Sequence, residues 1–310
     1  MLILFFILLL LMAAWYSYKV AFFAPKNKRV SPDRPITGEQ YLAVAEDIRR
    51  VTGIMAGYTF EEVTIQSYDG STLYGRYYHM SDNAPVELLF HGYRSHPYRD
   101  CSGGHALSRK LKLNTLVVDQ RSHGASDGQT ISFGVKERKD CLAWSNYAAQ
   151  RFGKEVPLIL SGLSMGAATV LMASELELPK SVACIIADSP YSSPKAIIEK
   201  VCADKGYPVG LCRPFLWLGA LIFGGFRLDS YTAKDAVRHA KVPILLLHGE
   251  DDRLVPCDMS LQIAANCTSR VEVVTFPDAG HGLCYLTDPL RYEDVITNFL
   301  HSIPELKPFL

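Results

Sequence analysis

Gly162-Leu163-Ser164-Met165-Gly166 stands directly behind the apolar run PLILS and ahead of a helix-forming stretch. A serine hydroxyl is a weak nucleophile unless a base takes its proton and fixed donors hold the oxyanion that its attack creates. Glycines on either side of Ser164 permit the sharp strand-to-helix turn that presents its oxygen, and the helix start behind it offers unpaired N–H groups. A Gly-x-Ser-x-Gly motif also occurs by chance, so it predicts chemistry only with a base and an acid elsewhere. The expected base is His281, in Pro277-Asp278-Ala279-Gly280-His281-Gly282, where flanking glycines free the imidazole to project from a loop. The expected acid is Asp252, in VPILLLHGEDDRLVP, four residues beyond His248; Asp251 and Asp188, the latter closing VACIIAD, are the competing carboxylates. Ser164, Asp252 and His281 follow one another in the order serine, acid, histidine, each behind an apolar run. The backbone N–H groups of Met165 and of Tyr93, in Phe90-His91-Gly92-Tyr93, are the expected oxyanion donors, with the His91 ring expected only to pack beneath the loop.

Such residues need a frame that brings strand ends together. From residue 86 onward VELLF, TLVVD, PLILS, VACIIAD, PILLLH and VEVVTF alternate with helical stretches near 100–111, 134–151, 164 onward, 258–267 and 288–302. Alternation of this kind requires crossover connections, hence a mostly parallel sheet covered by helices on both faces, an α/β fold. EEVTIQSYDGSTLYGRYYHM precedes it and predicts an antiparallel hairpin turning at Asp69-Gly70. About fifty residues, 191–240, separate VACIIAD from PILLLH, long enough to predict a lid or binding insertion. Within it, 210–226 is strongly apolar and reads equally as a core-packed helix or as a lid that lines an acyl pocket or touches lipid.

The chain resembles the α/β-hydrolase superfamily from about residue 61 to 303, in particular bacterial membrane-anchored serine esterases and serine aminopeptidase-like hydrolases. The shared signs are His91-Gly92, the run Asp119-Gln120-Arg121-Ser122-His123-Gly124-Ala125-Ser126, the 162–166 turn, His248-Gly249 with Asp252, and Gly280-His281-Gly282. That resemblance implies an eight-stranded sheet, no cofactor, and a lid inserted after the sixth strand. Ser122 departs from the pattern, which often has glycine there.

Residues 1–18 carry no charged side chain, and apolar character resumes after Lys19. At ~1.5 Å per residue such a helix can cross a hydrocarbon core of ~30 Å, and no cleavage signal is evident. The expected organisation is therefore a single-pass transmembrane anchor at 1–24, a linker and helix at 25–57, and a catalytic domain at 58–310. Trp15, Tyr16 and Tyr18 followed by Lys19, Lys26, Lys28 and Arg29 suit a headgroup boundary and place the domain in the cytoplasm by the positive-inside rule. Eight scattered cysteines without a C-x-x-C pair fit free thiols in a reducing compartment. Basic and acidic residues balance at 32 each, which excludes a whole-molecule attraction to nucleic acid. No phosphate-binding or dinucleotide fingerprint occurs, and His91, His96, Cys101 and His105 have no recognised metal-ligand spacing. The reading is a membrane-anchored carboxylic ester hydrolase acting on a small-molecule ester or acyl substrate. Peptidase or thioesterase activity on the same triad, and a catalytically inactive scaffold, are the rivals.

Overall fold

A computed structural model describes residues 2–25 and 35–310. Lys26, Lys28, Arg29 and most of the expected linker lie outside the described residues. The apolar runs form one sheet of eight strands: β1 (Glu61–Gln66), β2 (Thr72–Tyr78), β3 (Val86–Phe90), β4 (Asn114–Asp119), β5 (Leu158–Leu163), β6 (Val182–Asp188), β7 (Ile244–Gly249) and β8 (Val271–Phe276). Their spatial order is β1-β2-β4-β3-β5-β6-β7-β8. β2 pairs antiparallel with both β1 and β4, and every remaining pairing is parallel. The sheet is thus mixed, with the hairpin at one edge and its turn at Asp69-Gly70.

Thirteen α-helices are described. α1 (Leu2–Ala21), α2 (Glu39–Leu42) and α3 (Ala45–Ala56) precede the sheet; α4 (Pro97–Asp100) and α5 (Ser102–Lys110) follow β3; α6 (Glu137–Phe152) follows β4. α7 (Met165–Ala173) follows β5; α8 (Pro194–Asp204), α9 (Val209–Ile222) and α10 (Ala233–Ala236) fill the insertion before β7. α11 (Asp258–Ala264) precedes β8, and α12 (Cys284–Thr287) and α13 (Pro289–His301) follow it. The one helix expected near 100–111 is two, α4 and α5.

A strand covered on both faces sends alternate side chains to two cores. Leu88, Phe90, Leu158, Leu160, Ile185, Ile244 and Leu246 meet α6 and α7 on one face, among them Trp144 and Leu171. Ile159, Cys184, Ile186, Leu245 and Leu247 meet Leu107 of α5 and Ile296 and Phe299 of α13 on the other. This alternation aligns the carboxyl ends of β3, β5, β7 and β8, from which the candidate residues project.

The apolar segment 210–226 becomes α9, and its chief neighbour is α1. A Cβ at Gly219 would lie 2.6 Å from the Ala14 carbonyl oxygen, so glycine is what lets the two backbones approach. Trp15 and Phe223 meet edge to face at 5.3 Å, and Leu216 and Ala220 close the border of the larger core. The end of α1 is also part of the domain. Tyr18, Phe22 and Ala24 are buried in that same core. Ala24 N–H donates to Gln129 C=O at 2.9 Å, and Ile131 N–H donates to Phe22 C=O at 2.8 Å. The N-terminal helix is therefore two things in sequence: an exposed apolar rod from Leu2 to Met12, then a packed segment that the hydropathy pattern does not distinguish from it.

Candidate active site

Ser164 sits between β5 and α7 at φ 56° and ψ −111°, a conformation that L residues adopt only under constraint. The constraint is the packing of strand against helix. A Cβ at Gly162 would stand 2.3 Å from the Gly166 carbonyl carbon, and one at Gly166 would stand 2.0 Å from the Phe90 carbonyl oxygen. No side chain fits either place. Ser164 N–H donates to the Asp188 carbonyl at 2.8 Å, which ties the turn to the neighbouring strand.

Ser164 Oγ lies 2.8 Å from His281 Nε2, and His281 Nδ1 lies 2.6 Å from Asp252 Oδ2. Asp252 Oδ1 accepts from the backbone N–H groups of Leu254 at 2.9 Å and Val255 at 2.7 Å. Burial would raise the Asp252 pKa, but the hydrogen bonds of His248 and His281, the His281 charge and the Val255 amide outweigh it and hold this carboxyl well below the usual range. It is a stable anion, so Nδ1 is the protonated nitrogen of His281 and Nε2 is free to accept from Ser164. Of the competing carboxylates, Asp251 is exposed, and Asp188 is buried with its side chain accepting from Ser189 Oγ at 2.9 Å. Burial raises the Asp188 pKa, in the direction opposite to Asp252.

The loop after β3 comes to the same point: a Cβ on Gly92 would be 3.5 Å from Ser164 Cβ. Its backbone is held group by group. Gly92 N–H donates to Asp100 Oδ2 at 2.7 Å, and Arg94 N–H donates to His123 Nε2 at 3.0 Å. Between them stands the N–H of Tyr93, and the N–H of Met165 opens α7 directly behind Ser164. His91 does more than pack beneath the loop. Its Nε2 accepts from Gln120 N–H at 3.1 Å, so Nδ1 carries the hydrogen and donates to Gly92 C=O at 2.8 Å. Burial lowers the His91 pKa and keeps the ring neutral in that tautomer. Gly92 C=O and Tyr93 N–H are opposite ends of one trans peptide, so His91 aims the Tyr93 donor. His91→Leu is expected to lower kcat by about 10²-fold with KM little changed, since the loss of one oxyanion donor costs ~10²–10³. Steady-state kinetics on any turned-over ester checks this, and a KM effect alone would contradict the positioning role.

Several contributors carry no sequence signal. Gln40, in α2, accepts from His281 N–H at 3.1 Å through Oε1, and that oxygen would lie 2.6 Å from a Cβ on Gly280. A cavity of about 100 Å³ opens beside His281, lined by Tyr41, Arg99, Asp100, Leu163, Tyr285 and Leu286. Gln40 and Tyr41 thus reach the site although their helix has no catalytic motif. Ser122 stands at φ 66°, where glycine would be relaxed, and its Oγ donates to Thr130 C=O at 2.9 Å, a contact glycine could not make. Among the described residues, no three His, Cys, Asp or Glu side chains are grouped to hold a metal ion.

A strained serine at a strand-to-helix turn, on a mixed eight-stranded sheet with a histidine loop after the last strand, defines a class, and the comparisons agree. Residues 88–295 match the alpha/beta hydrolase family, and the chain belongs to it. YqkD of Bacillus subtilis, an uncharacterized protein, is 21% identical over 251 residues, covering 79% of this chain and 82% of its own length. The lysophosphatidylserine lipase ABHD12 of Danio rerio is 25% identical over 209 residues, covering 62% of this chain and 51% of that protein. Among solved structures, the esterase Pf2001 of Pyrococcus furiosus superposes with a TM-score of 0.66 at 20% identity, covering 89% of this chain and 98% of its own. That likeness is one of fold.

Proposed function

We propose that the chain is a membrane-anchored serine hydrolase that cleaves carboxylic esters bearing an apolar acyl group. The observation that carries this reading is the unbroken hydrogen-bonded series Ser164, His281, Asp252 on a strained turn. His281 Nε2 takes the Ser164 proton as Oγ bonds to the carbonyl carbon, and the N–H groups of Met165 and Tyr93 hold the oxyanion. Collapse breaks the bond to the alkoxide, which leaves with the proton from His281; water, deprotonated by His281, then attacks the acyl-enzyme and restores Ser164. Asp252 stays ionised and stabilises the imidazolium in both steps.

Two further observations favour a lipid-like ester. One relative is named a lysophosphatidylserine lipase. α1, of 20 residues, is the one described helix long and apolar enough to cross a membrane. The test is kcat/KM for nitrophenyl esters of rising acyl length, beside the matching thioester and an aminoacyl amide. Each methylene is expected to add about fourfold, from ~0.8 kcal/mol of burial, until the pocket is full. Preference for the aminoacyl amide would replace this reading by the peptidase one. Failure of a fluorophosphonate probe to label Ser164 would leave a scaffold.

A further inference from the structure

We propose that α9 is a second membrane-seated element, lying beside α1 in the headgroup and upper acyl-chain region of one leaflet, so that two helices and not a single tether hold the domain on the bilayer. The inference rests on the reading of α1 as the anchor. α1 is buried at Ala14 and Tyr18, so its unbroken exposed stretch, clear of the domain, runs from Leu2 to Met12. At ~1.5 Å per residue that is ~16 Å, little more than half of a ~30 Å hydrocarbon core. For the remaining apolar length of α1 to lie in lipid, whatever packs against it must enter lipid too. What packs against it is α9, with Gly219 on Ala14 and Phe223 on Trp15 and Tyr18.

The composition of α9 suits that depth. Among its 14 residues the single charged side chain is Arg213, which pairs with Glu199 at 2.6 Å. Trp217, Leu221 and Ile222 are exposed, with Leu211 near its start, so past Arg213, the one charge on that side, its outward face is apolar. Small residues at the contact are what helix pairs in lipid use to approach closely. Trp15 and Tyr16 are exposed on α1 beside this contact. Lys19 Nζ lies 3.0 Å from the Phe23 ring centroid and 5.2 Å from that of Trp15. Exposed aromatics with a cation are the signature of the headgroup level, and they sit where α9 joins α1. A helix lying at that boundary buries its apolar face while its polar side stays wet.

The chain has three tryptophans, and Trp144 is buried in the core. That makes depth readable in the full-length protein reconstituted into phosphatidylcholine vesicles. Trp15→Phe leaves Trp217 as the reporter, Trp217→Phe leaves Trp15, and Trp144 is the shared background. With phosphatidylcholine brominated near the top of the acyl chain, Trp217 is expected to lose intensity to the same degree as Trp15, with blue-shifted emission, and to resist aqueous iodide. Quenching of Trp15 by bromolipid with Trp217 open to iodide would overturn the seating of α9 and leave the anchor intact. Protection of Trp217 from both quenchers would also overturn it, by assigning the face to a second copy or another protein. If neither tryptophan responds to bromolipid, the anchor reading falls as well. None of these readouts involves turnover, so they stand apart from the ester assignment.

Discussion

Asp252→Asn is expected to fold normally and to lose about four orders of magnitude in kcat, the scale on which a wrong imidazole tautomer acts. The geometry says why the tautomer would be wrong. Oδ1 of Asp252 accepts from two backbone N–H groups, those of Leu254 and Val255, so that position demands an oxygen. In asparagine the oxygen is taken there and the NH₂ group falls where Oδ2 now meets His281 Nδ1. A donor facing Nδ1 makes that nitrogen an acceptor and moves the hydrogen to Nε2. Nε2 then has no lone pair for the Ser164 proton at 2.8 Å. Fluorophosphonate labelling, which needs the same proton transfer, should slow in parallel. Ser164→Ala should abolish labelling and reduce turnover at least as far, down to what binding and the oxyanion donors supply alone. If Asp252→Asn kept a tenth of the activity, another group would have to orient His281.

Removing residues 1–24, the obvious route to a soluble domain, is expected to cost both stability and turnover. Phe22 is fully buried, and large-to-small changes at such sites cost ~3–5 kcal/mol of the ~5–15 that holds a domain together. The catalytic cost comes through the oxyanion loop. Tyr93 Oη donates to the Ala21 carbonyl at 2.7 Å, and the Arg94 guanidinium donates to the carbonyls of Val20 at 2.8 Å and Phe23 at 3.1 Å. The Val20 and Ala21 carbonyls are ones that the end of α1 itself leaves unpaired, and Phe23 lies just beyond it. The Tyr93 ring also stacks on Phe133 at 4.8 Å, and Phe133 meets Phe22 edge to face at 5.9 Å. The truncated protein should therefore melt well below the full chain, and its surviving fraction should show kcat reduced by roughly 10–100-fold, less than outright loss of an oxyanion donor. Tyr93→Phe in the full chain isolates the second effect. It keeps the backbone donor, removes only the hydroxyl contact, and should lower kcat by about tenfold with little change in melting temperature. A truncated enzyme with full kcat and an unchanged melting temperature would show α1 to be a tether and nothing more.

The mostly parallel sheet was legible because each buried strand is a short apolar run and each crossover a helix, both local patterns, whereas its spatial order, with β4 between β2 and β3, is set by pairing between distant segments. Ser164 was legible for the same reason: the glycines at 162 and 166 are demanded by backbone contacts that any such turn makes. Asp252 and His281 could be nominated by chain order, but the choice of Asp252 over Asp251 and Asp188 depends on which carboxylate reaches His281, and that is a distance across β7 and β8. Gln40 had no pattern to reveal it, since it acts through one hydrogen bond to a backbone N–H 241 residues away, and Asp100 had none because it braces its own loop, at Gly92 N–H and Ser95 Oγ, without touching the triad. His91 was read as filler because its tautomer is set by Gln120, 29 residues on.

The N-terminal helix divides the same way. Hydropathy alone determined that residues 2–21 are apolar and long enough for a bilayer, because that property is a sum over neighbours along the chain. That its last turn holds the loop of Tyr93 and Arg94, and that α9 lies against it, was decided only by the tertiary structure. Unpaired carbonyls and a glycine contact become meaningful only when distant segments are brought within bonding distance.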